Sequence, residues 1–388
     1  MRSKLQFFLD LNMLPKLFLI AIIGVANIYA QQCQEKTELM LRPIEWTGGP
    51  FEWDCGATKD VYARSGKYIG KNCLATRCQV YKDECVVALP RYKSGCPVTL
   101  AKVSLKRQGC EATLVPFPCW SVQDEHNPDG LVSVVDCVID ANEILWVLDC
   151  GVVHTLETPV RYCKPKVVAY SMKTGKQLKS LDLSGLVVPA SRLQYLVVEY
   201  SQDGKPFVYV SDAATKSILV FDIVANKGYR VVLPKAVLYG PCCKRDVLYI
   251  ALVQKGCGNN YLIFTYLSSS HMFSIRTDYL RTGSTAGRIV DLGQKPQKMI
   301  ILGTDLGSAI FFRYEGLPEV YRWDSNTPFV KENFVVVYIS PKCLLTTCVC
   351  ADLRRQRLRL LESNFPDYIQ NTVGCGAQQV INILGGCT

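Results

Sequence analysis

The sequence predicts an all-β protein, a six-bladed β-propeller, from three observations. Hydrophobic residues make up 49% of the 388 residues and charged residues 20%, so the chain can bury a sizeable core and is not disordered. Short apolar runs rich in Val, Ile, Leu, Tyr and Phe are separated by Gly, Asp, Asn and Lys, a pattern typical of strands and turns. These runs come in pairs, and six such pairs follow one another along the chain.

Each pair of apolar runs is predicted to form part of one blade. In chain order the pairs are Gln79–Leu89 with Val98–Leu105, Ile144–Asp149 with Lys166–Ser171, Phe207–Asp212 with Ser217–Ile223, Val247–Val253 with Tyr261–Leu267, Lys298–Gly303 with Ser308–Tyr314, and Leu344–Cys350 with Arg357–Leu361. The first and sixth pairs start 265 residues apart, about 53 residues per unit, which is typical of propeller blades. A large β-sandwich is the competing prediction. We place the propeller at residues 45–375, between terminal tails at 31–44 and 376–388.

Residues 1–30 are typical of a secretory signal peptide. Arg2, Lys4 and Lys16 precede a hydrophobic run, Leu17–Ile28, and Ala30 offers a small residue for cleavage. The run has about 12 residues, whereas a membrane-spanning helix needs about 20. We therefore expect a secreted, extracellular protein without a membrane partner.

The basic balance of the chain does not indicate nucleic-acid binding. The formal net charge is +10, which favours adherence to acidic surfaces. Basic residues are scattered except at Arg354–Arg359, where they alternate with leucines, and we expect this run to be the solvent face of a strand. No basic patch is interleaved with aromatic residues, so a nucleic acid is not an expected partner.

The cysteines predict disulfide bonds in an oxidising compartment. All 19 follow the signal peptide, and the sequence contains none of the CxxC spacings that zinc sites use, so no metal is expected. An odd number leaves at least one thiol free or bonded to another chain. Cys33 and Cys387 lie in the predicted tails and are candidates for intermolecular disulfides, or else they pair with each other or with nearby cysteines.

Catalytic signals are scarce. His126 and His271 lie in polar turns. His154 follows a strand end, where propeller loops gather, so it is the candidate general base, with a solvated loop histidine as the alternative. No phosphate loop, dinucleotide motif, nucleophile elbow or HExxH motif is present, and no cofactor is expected.

Three aspartates end the first run of a predicted pair. Asp149, Asp212 and Asp305 are candidate ligand-binding carboxylates near the propeller axis. The alternative is that each carboxylate caps the tight turn that follows it by accepting hydrogen bonds from backbone N–H groups.

Four segments carry a family resemblance: Ile144-Leu-Trp-Val-Leu-Asp-Cys-Gly, Cys163-Lys-Pro-Lys-Val-Val-Ala-Tyr, Leu89-Pro-Arg-Tyr-Lys-Ser-Gly-Cys-Pro-Val-Thr-Leu and Pro118-Cys-Trp. In combination they closely resemble the yellow/major royal jelly family of insects, over about residues 45–365. The resemblance implies a secreted six-bladed propeller. Leu181-Asp-Leu-Ser-Gly, Glu362-Ser-Asn-Phe-Pro-Asp and the cysteine-rich pattern are most similar to the yellow-g branch, which is associated with ovarian follicle cells and the eggshell.

One departure from the family concerns a disulfide. The family's cysteine before the Leu-Trp-Val-Leu-Asp strand is Asn142 here, while Cys163 is retained. The resemblance therefore implies that Cys163 pairs with Cys137 or Cys150, which border the same strand and its following loop.

Three functions follow from the resemblance. The first is a structural component of the eggshell (chorion or vitelline layer) that resists desiccation and is joined to other eggshell matrix proteins through disulfides or tyrosine cross-links. The second is a dopachrome-converting, isomerase-like enzyme of melanin or pigment formation, and the lack of a histidine–carboxylate set argues against it. The third is a binder of small aromatic amines or catechols at the propeller mouth. We favour the first, because 19 cysteines exceed what a core of this size needs for folding.

Overall fold

The fold is described from a computed structural model over residues 42–106, 111–127, 129–238 and 246–384, with only the backbone described at Cys257. The described residues from Pro43 onward form one compact unit. The predicted signal peptide lies outside the described residues, as do Cys33 and Cys387. Within the described ranges, no helix combines the length and the apolar character that crossing a membrane requires.

Six four-stranded antiparallel sheets make up this unit, and their strands follow the chain almost in order. The first strand, β1 (Ile44–Thr47), is the exception, because it belongs to the last sheet. The strands of blade one are β2 (Arg77–Tyr81), β3 (Glu84–Ala88), β4 (Leu100–Ser104) and β5 (Leu114–Pro116). Blade two contains β6 (Val134–Ile139) and β7 (Ile144–Asp149), then, after a small ribbon of β8 (Val152–Val153) and β9 (Val160–Arg161), β10 (Lys166–Ser171) and β11 (Gln177–Asp182).

The remaining four blades repeat this order. Blade three is formed by β12 (Leu193–Tyr200), β13 (Pro206–Asp212), β14 (Ser217–Asp222) and β15 (Lys227–Val232). Blade four is formed by β16 (Leu248–Lys255), β17 (Asn259–Tyr266), β18 (His271–Arg276) and β19 (Val290–Gln294). Blade five is formed by β20 (Met299–Thr304), β21 (Ala309–Tyr314), β22 (Glu319–Asp324) and β23 (Val335–Ile339). Blade six is formed by β24 (Leu345–Asp352), β25 (Arg357–Ser363), β26 (Gln378–Leu384) and β1.

Helices are short and lie between the strands. The described residues contain three α-helices, α1 (Gly56–Arg64), α2 (Thr277–Arg281) and α3 (Phe365–Gln370). Single 3₁₀ turns occur at Gly70–Asn72, Trp120–Gln123, Ser184–Leu186, Lys235–Leu238, Gly256–Gly258, Lys331–Asn333 and Leu353–Arg355.

The first strand of each blade lines the propeller axis. Strands β2, β6, β12, β16, β20 and β24 contact one another in a closed circle, so the ring returns from blade six to blade one. Six hydrophobic clusters fill the spaces between successive blades. The all-β class and the six blades predicted from the sequence are confirmed.

Each predicted pair of strands corresponds to part of one blade, but not to the same part. In blades two and three the pair matches the two middle strands, such as β13 and β14, whereas in blades four to six it matches the first two. Middle strands are buried on both faces by the neighbouring blades, so they appear in the sequence as continuous apolar runs. Outer strands such as β15 and β23 are largely exposed and lack this pattern, which is why the predicted spacing was uneven.

The predicted tails require a correction. Residues 376–388 were expected to be a terminal tail, but Gln378–Leu384 forms the third strand of blade six. The predicted N-terminal tail 31–44 also ends one residue too late, because β1 begins at Ile44. The two chain ends pair with each other, with Trp46 opposite Gln379, so the ring is closed by strands from both termini. Each strand alone is short, and only their pairing buries them.

The basic run Arg354–Arg359 was predicted to face solvent, and this is only partly correct. Arg357 is exposed as expected, but Arg359 is 1% exposed and its Nε lies 3.0 Å from Asp352 Oδ2. Arg355 donates to the carbonyl of Lys82 at 2.7 Å, across the junction of blades six and one. Paired carboxylates and carbonyls therefore hold these arginines in the fold.

Candidate functional site at the propeller axis

Five side chains from different blades meet at the axis, and we call them the axial cluster: Arg77, Asp136, Tyr195, Tyr249 and Arg313. They come from β2, β6, β12, β16 and β21. The first four lie on first strands, which the circular packing of blades brings together although they are far apart in the sequence.

Arg77 is at the centre of this cluster. Its guanidinium carbon lies 4.4 Å from the centre of the Tyr195 ring, its Nε lies 3.7 Å from Asp136 Oδ1, and its Nη1 donates to the carbonyl of Thr347 at 3.0 Å. The rings of Tyr195 and Tyr249 are 5.1 Å apart and tilted by 37°. Arg77 therefore lies between the carboxylate of Asp136 and the ring of Tyr195. This geometry favours a cation–π interaction, and the exclusion of water strengthens the attraction between the two charges.

The protonation equilibria of the cluster are strongly displaced. Burial raises the pKa of Asp136 to about 6, although Arg77 and the backbone N–H groups of Leu196 and Cys137 act in the opposite direction. Burial also raises the pKa of Tyr249 to about 12 and that of Tyr195 well above its ordinary value. A buried carboxyl group whose pKa lies near 6 can exchange a proton at near-neutral pH, which is the property a general acid–base requires.

Arg91, in the Leu89–Leu100 segment, joins loops of blades one and two by hydrogen bonds. The guanidinium of Arg91 is 2% exposed and donates to the carbonyls of Cys96 and Pro97 at 2.8 Å and of Leu131 at 3.1 Å. It also donates to the carbonyls of Gln123 and Val132. One planar side chain thereby joins loops of blades one and two, and its role is structural.

The three aspartates proposed as ligand-binding residues are turned towards backbone donors. Asp149 is fully buried and accepts from the N–H groups of Val132, Ser133 and Gly151 at 2.8–2.9 Å. Its Oδ2 also lies 3.8 Å from Lys166 Nζ.

The other two aspartates make the same kind of contact. Asp212 is fully buried and accepts from the N–H of Arg192 at 2.8 Å and from the Thr215 hydroxyl at 2.6 Å. Asp305 accepts from the N–H groups of Gly307 and Ala309 at 2.9 and 3.1 Å. These contacts match the alternative in which each aspartate caps the turn that follows it. A role of the three carboxylates in ligand binding stays a prediction.

His154 lies in the loop after β8 and is half-buried. It has a positive φ of 57°, and its backbone N–H donates to the carbonyl of Arg91 at 2.6 Å. His271 is elsewhere, on β18, where its Nδ1 lies 2.8 Å from Asp291 Oδ2. The structure does not bring His154 into the axial cluster, and a catalytic role for His154 stays a prediction.

Cys137, Cys150 and Cys163 are buried thiols with different surroundings. Cys137 packs between blades one and two, whereas Cys163 packs against Val132 and Val153. Burial and then the charge of Asp149 raise the pKa of Cys163 to about 12, while Lys166 acts in the opposite direction. Cys163 Sγ lies 4.0 Å from Oδ2 of Asp149, the residue before Cys150. The surroundings therefore favour Cys150 over Cys137 as the partner of Cys163, and the bond itself stays a prediction.

Sequence reasoning missed the axial cluster. A usable signal was present for Asp136, because it is a lone acidic residue within the otherwise apolar strand Val134–Ile139. A carboxylate in such a place is costly unless it is paired or functional. No local signal marks Arg77 or Tyr195, which are ordinary residues of edge strands until the blades meet. Among the described side chains, no group of three or more His, Cys, Asp or Glu residues is arranged to hold a metal ion.

Fold and site together define a class: a six-bladed β-propeller with a desolvated arginine–carboxylate–tyrosine cluster at its axis. The family follows from comparison. The model of the major royal jelly protein family matches residues 132–384, and the chain belongs to this family. The resemblance noted from the sequence is thus confirmed.

Individual relatives are distant. Dopaminechrome tautomerase of Drosophila melanogaster is 25% identical over 52% of this chain and 45% of its own length. Major royal jelly protein 1 of Apis mellifera is 26% identical over 54% of this chain and 50% of its own length. The chain spans about half the length of the curated relatives it matches. Among solved structures, regucalcin from Agrobacterium tumefaciens aligns with a TM-score of 0.48 and 15% identity over 81% of this chain and 92% of that chain.

Proposed function

We propose that the protein is a secreted, cross-linked structural component of the insect eggshell, of the yellow-g type within its family. The observation that carries this proposal is the set of cysteines on the described surface: Cys55, Cys119, Cys343 and Cys375 are exposed. An exposed thiol in an oxidising compartment reacts with other chains, whereas a buried structural thiol is inert. The signal-peptide-like leader supplies the route to that compartment.

Among these exposed thiols, Cys55 has the surroundings that most favour its reactive thiolate form. It directly precedes α1, and its Sγ lies 3.1 Å from the Thr58 hydroxyl. Hydrogen bonding from Thr58 lowers the pKa of Cys55, which raises the fraction of thiolate available for disulfide exchange. A second cross-linking group is the phenol of Tyr162, which is 37% exposed.

The decisive experiment is extraction of the protein from laid eggs. We expect it to remain in the insoluble shell under denaturing conditions without reductant and to be released when a reductant is added. A transgene carrying Cys55→Ser, compared with one carrying the buried-site change Cys137→Ala, is expected to lower the insoluble fraction. Depletion of the protein is expected to cause collapse or drying of eggs. Full extraction without reductant, together with a change of colour alone on depletion, would contradict the proposal.

A second candidate function is isomerase-like conversion of catechol-derived quinones, with a small aromatic amine or catechol bound at the axis. Two observations favour it: the raised pKa of Asp136 beside Arg77 and Tyr195, and the similarity to dopaminechrome tautomerase. The test is the rate of dopaminechrome conversion by the purified protein, with Asp136→Asn and His154→Ala compared. A rate above the spontaneous one that Asp136→Asn abolishes supports this candidate. A rate equal to the spontaneous one rejects it.

A further inference from the structure

Four cysteines meet in the space between blades one and six. Cys78 lies on β2, Cys85 on β3, and Cys348 and Cys350 on β24, and all four are at most 3% exposed. They belong to the hydrophobic cluster that also contains Trp46 of β1. Residues from the beginning and the end of the propeller therefore share one apolar space.

The sulfur atoms of this cluster are in contact across the blade junction. Cys78 Sγ lies 3.3 Å from Cys350 Sγ, and Cys348 Sγ lies 3.5 Å from both the N–H nitrogen and the carbonyl oxygen of Cys78. Cys78 has the thiols of Cys85, Cys348 and Cys350 as hydrogen-bonding neighbours, and Cys85 has those of Cys78 and Cys350. A disulfide bond is about 2 Å long, so thiols already in contact need small side-chain movements to form one.

The contacts limit the ways in which all four cysteines can pair. Cys348 lies against the backbone of Cys78, and bonding these two leaves Cys85 and Cys350 as a second neighbouring pair. The alternative set is Cys78–Cys350, whose sulfur atoms are 3.3 Å apart, with Cys85–Cys348. We propose that two disulfides, Cys78–Cys348 and Cys85–Cys350, join blade one to blade six and close the propeller covalently. Both bonds cross the junction between blades one and six, where Trp46 of β1 is also buried.

Each bond forms by disulfide exchange. A thiolate attacks a disulfide donor of the secretory pathway, and the second thiolate displaces the donor from the mixed disulfide. Two thiols lose two protons and two electrons, and the donor disulfide is reduced to two thiols. Since the closed ring buries all four sulfurs, exchange takes place while blade six docks on blade one.

The bonds enclose most of the chain. Cys78 and Cys348 are 270 positions apart, so a bond between them ties together nearly the whole propeller. A cross-link over such a long loop removes much of the conformational freedom of the unfolded chain. This inference rests on export to an oxidising compartment, which is part of the proposed function, but it does not require the eggshell.

The test uses the full-length protein secreted by cultured insect cells, alkylated without reduction and digested with trypsin. Two bonds of the proposed kind leave three peptides joined as one species, with residues 78–82, 83–91 and 343–354. We expect this species in the unreduced digest and its loss after reduction. Alkylation of the four cysteines in the unreduced protein would overturn the proposal, as would a Cys78–Cys85 bond within blade one.

Paired variants distinguish the connectivity. Cys78→Ala with Cys348→Ala removes one complete bond, so residues 83–91 stay linked to 343–354 and no new thiol is alkylated. Cys78→Ala with Cys350→Ala removes one partner of each bond, so Cys85 and Cys348 lose their partners and become alkylated. If instead the first variant gives alkylated Cys85 and Cys350 while the second keeps its peptides linked, the native bond is Cys78–Cys350 and the proposed pairing is wrong. Because the bonds are mapped without eggs, they can be present in a protein that fails the eggshell test, and the two failures are distinguishable.

Discussion

Single charged residues hold together parts of this propeller that the sequence separates. Arg91 is the strongest example, because its five N–H donors reach carbonyls in two blades while its charge is almost completely buried. Burial lowers the pKa of Arg91, which shows the cost of desolvating it. The hydrogen bonds compensate for that cost, so the geometry of the guanidinium is as important as its charge.

Arg91→Lys is therefore expected to be strongly destabilising, although the charge is conserved. An ammonium group cannot reach the same set of carbonyls, and several would be left buried without a donor, at a cost of roughly 3–5 kcal/mol. Chemical denaturation of the secreted protein measures the loss. Arg64→Lys on the exposed helix α1 is the matched control, and its effect should stay within about 0.5 kcal/mol. Equal effects of the two changes would contradict the anchoring role.

Asp136 is expected to make the stability depend on pH. The pKa of Asp136 is raised from 3.8 to about 6, so the folded state binds its proton more tightly than the unfolded state does. The contribution of this group to the free energy of unfolding should therefore fall as pH rises from about 4 to about 6, by roughly 3 kcal/mol in total.

The measurement is a series of urea unfolding curves over this pH range for the natural protein and for Asp136→Asn. Asparagine does not titrate, so its curve should lack the decline that Asp136 contributes. If the two proteins have the same pH dependence, the ion pair with Arg77 offsets the burial of Asp136 and the raised pKa is wrong.

At the scale of elements, one buried carboxylate joins blade three to the helix that follows blade four's third strand. Glu199 of β12 accepts from Asn260 Nδ2 at 2.9 Å, from the Thr277 hydroxyl at 2.5 Å and from Arg281 Nη1 at 2.7 Å. The hydroxyl of Tyr209 donates to its other oxygen. The short helix α2 is therefore positioned by what its residues bind rather than by its own helical propensity.

Glu199→Gln is expected to loosen this junction and lower the free energy of unfolding by about 2 kcal/mol, because the amide cannot pair with Arg281 and accept from all four donors. Thermal unfolding monitors the change, and hydrogen exchange of α2 should increase with it. Glu52→Gln, at an exposed position before α1, serves as the control. An unchanged exchange rate in α2 would show that the hydrophobic contacts of Leu280 hold the helix without Glu199.

At the scale of the whole molecule, ring closure depends on the two chain ends. The outermost strand of blade six is β1, and its Trp46 and Ile44 are buried at 1% and 3% exposure in the cluster between blades six and one. Closing the circle removes the free edge that a curved row of sheets would otherwise expose.

Deletion of residues 31–47 is expected to open this junction, whereas deletion of residues 31–42 should be tolerated. Loss of the burial of Ile44 and Trp46 corresponds to roughly 4 kcal/mol or more. The readouts are the yield of secreted protein and its unfolding temperature. Both deletions remove Cys33, so the comparison isolates β1. Normal secretion and unchanged unfolding of the longer deletion would show that β26 alone completes blade six.

The sequence by itself determined the all-β class, six repeating units and the family. These features depend on local periodicity and on contiguous motifs, which a chain carries wherever it folds. Middle strands such as β14 were visible because their apolar runs are continuous. The strand β26 was missed because one of its two neighbours, β1, lies at the opposite end of the chain.

Only the tertiary structure decided which side chains share a site. Arg77, Asp136, Tyr195 and Tyr249 lie on four different blades, and no spacing in the sequence relates them. The four cysteines Cys78, Cys85, Cys348 and Cys350 are likewise ordinary members of an irregular cysteine pattern until the ring closes. The physical reason is the same in both cases: a propeller forms its axis and its closing junction from contacts between blades, and such contacts leave no local pattern in the sequence.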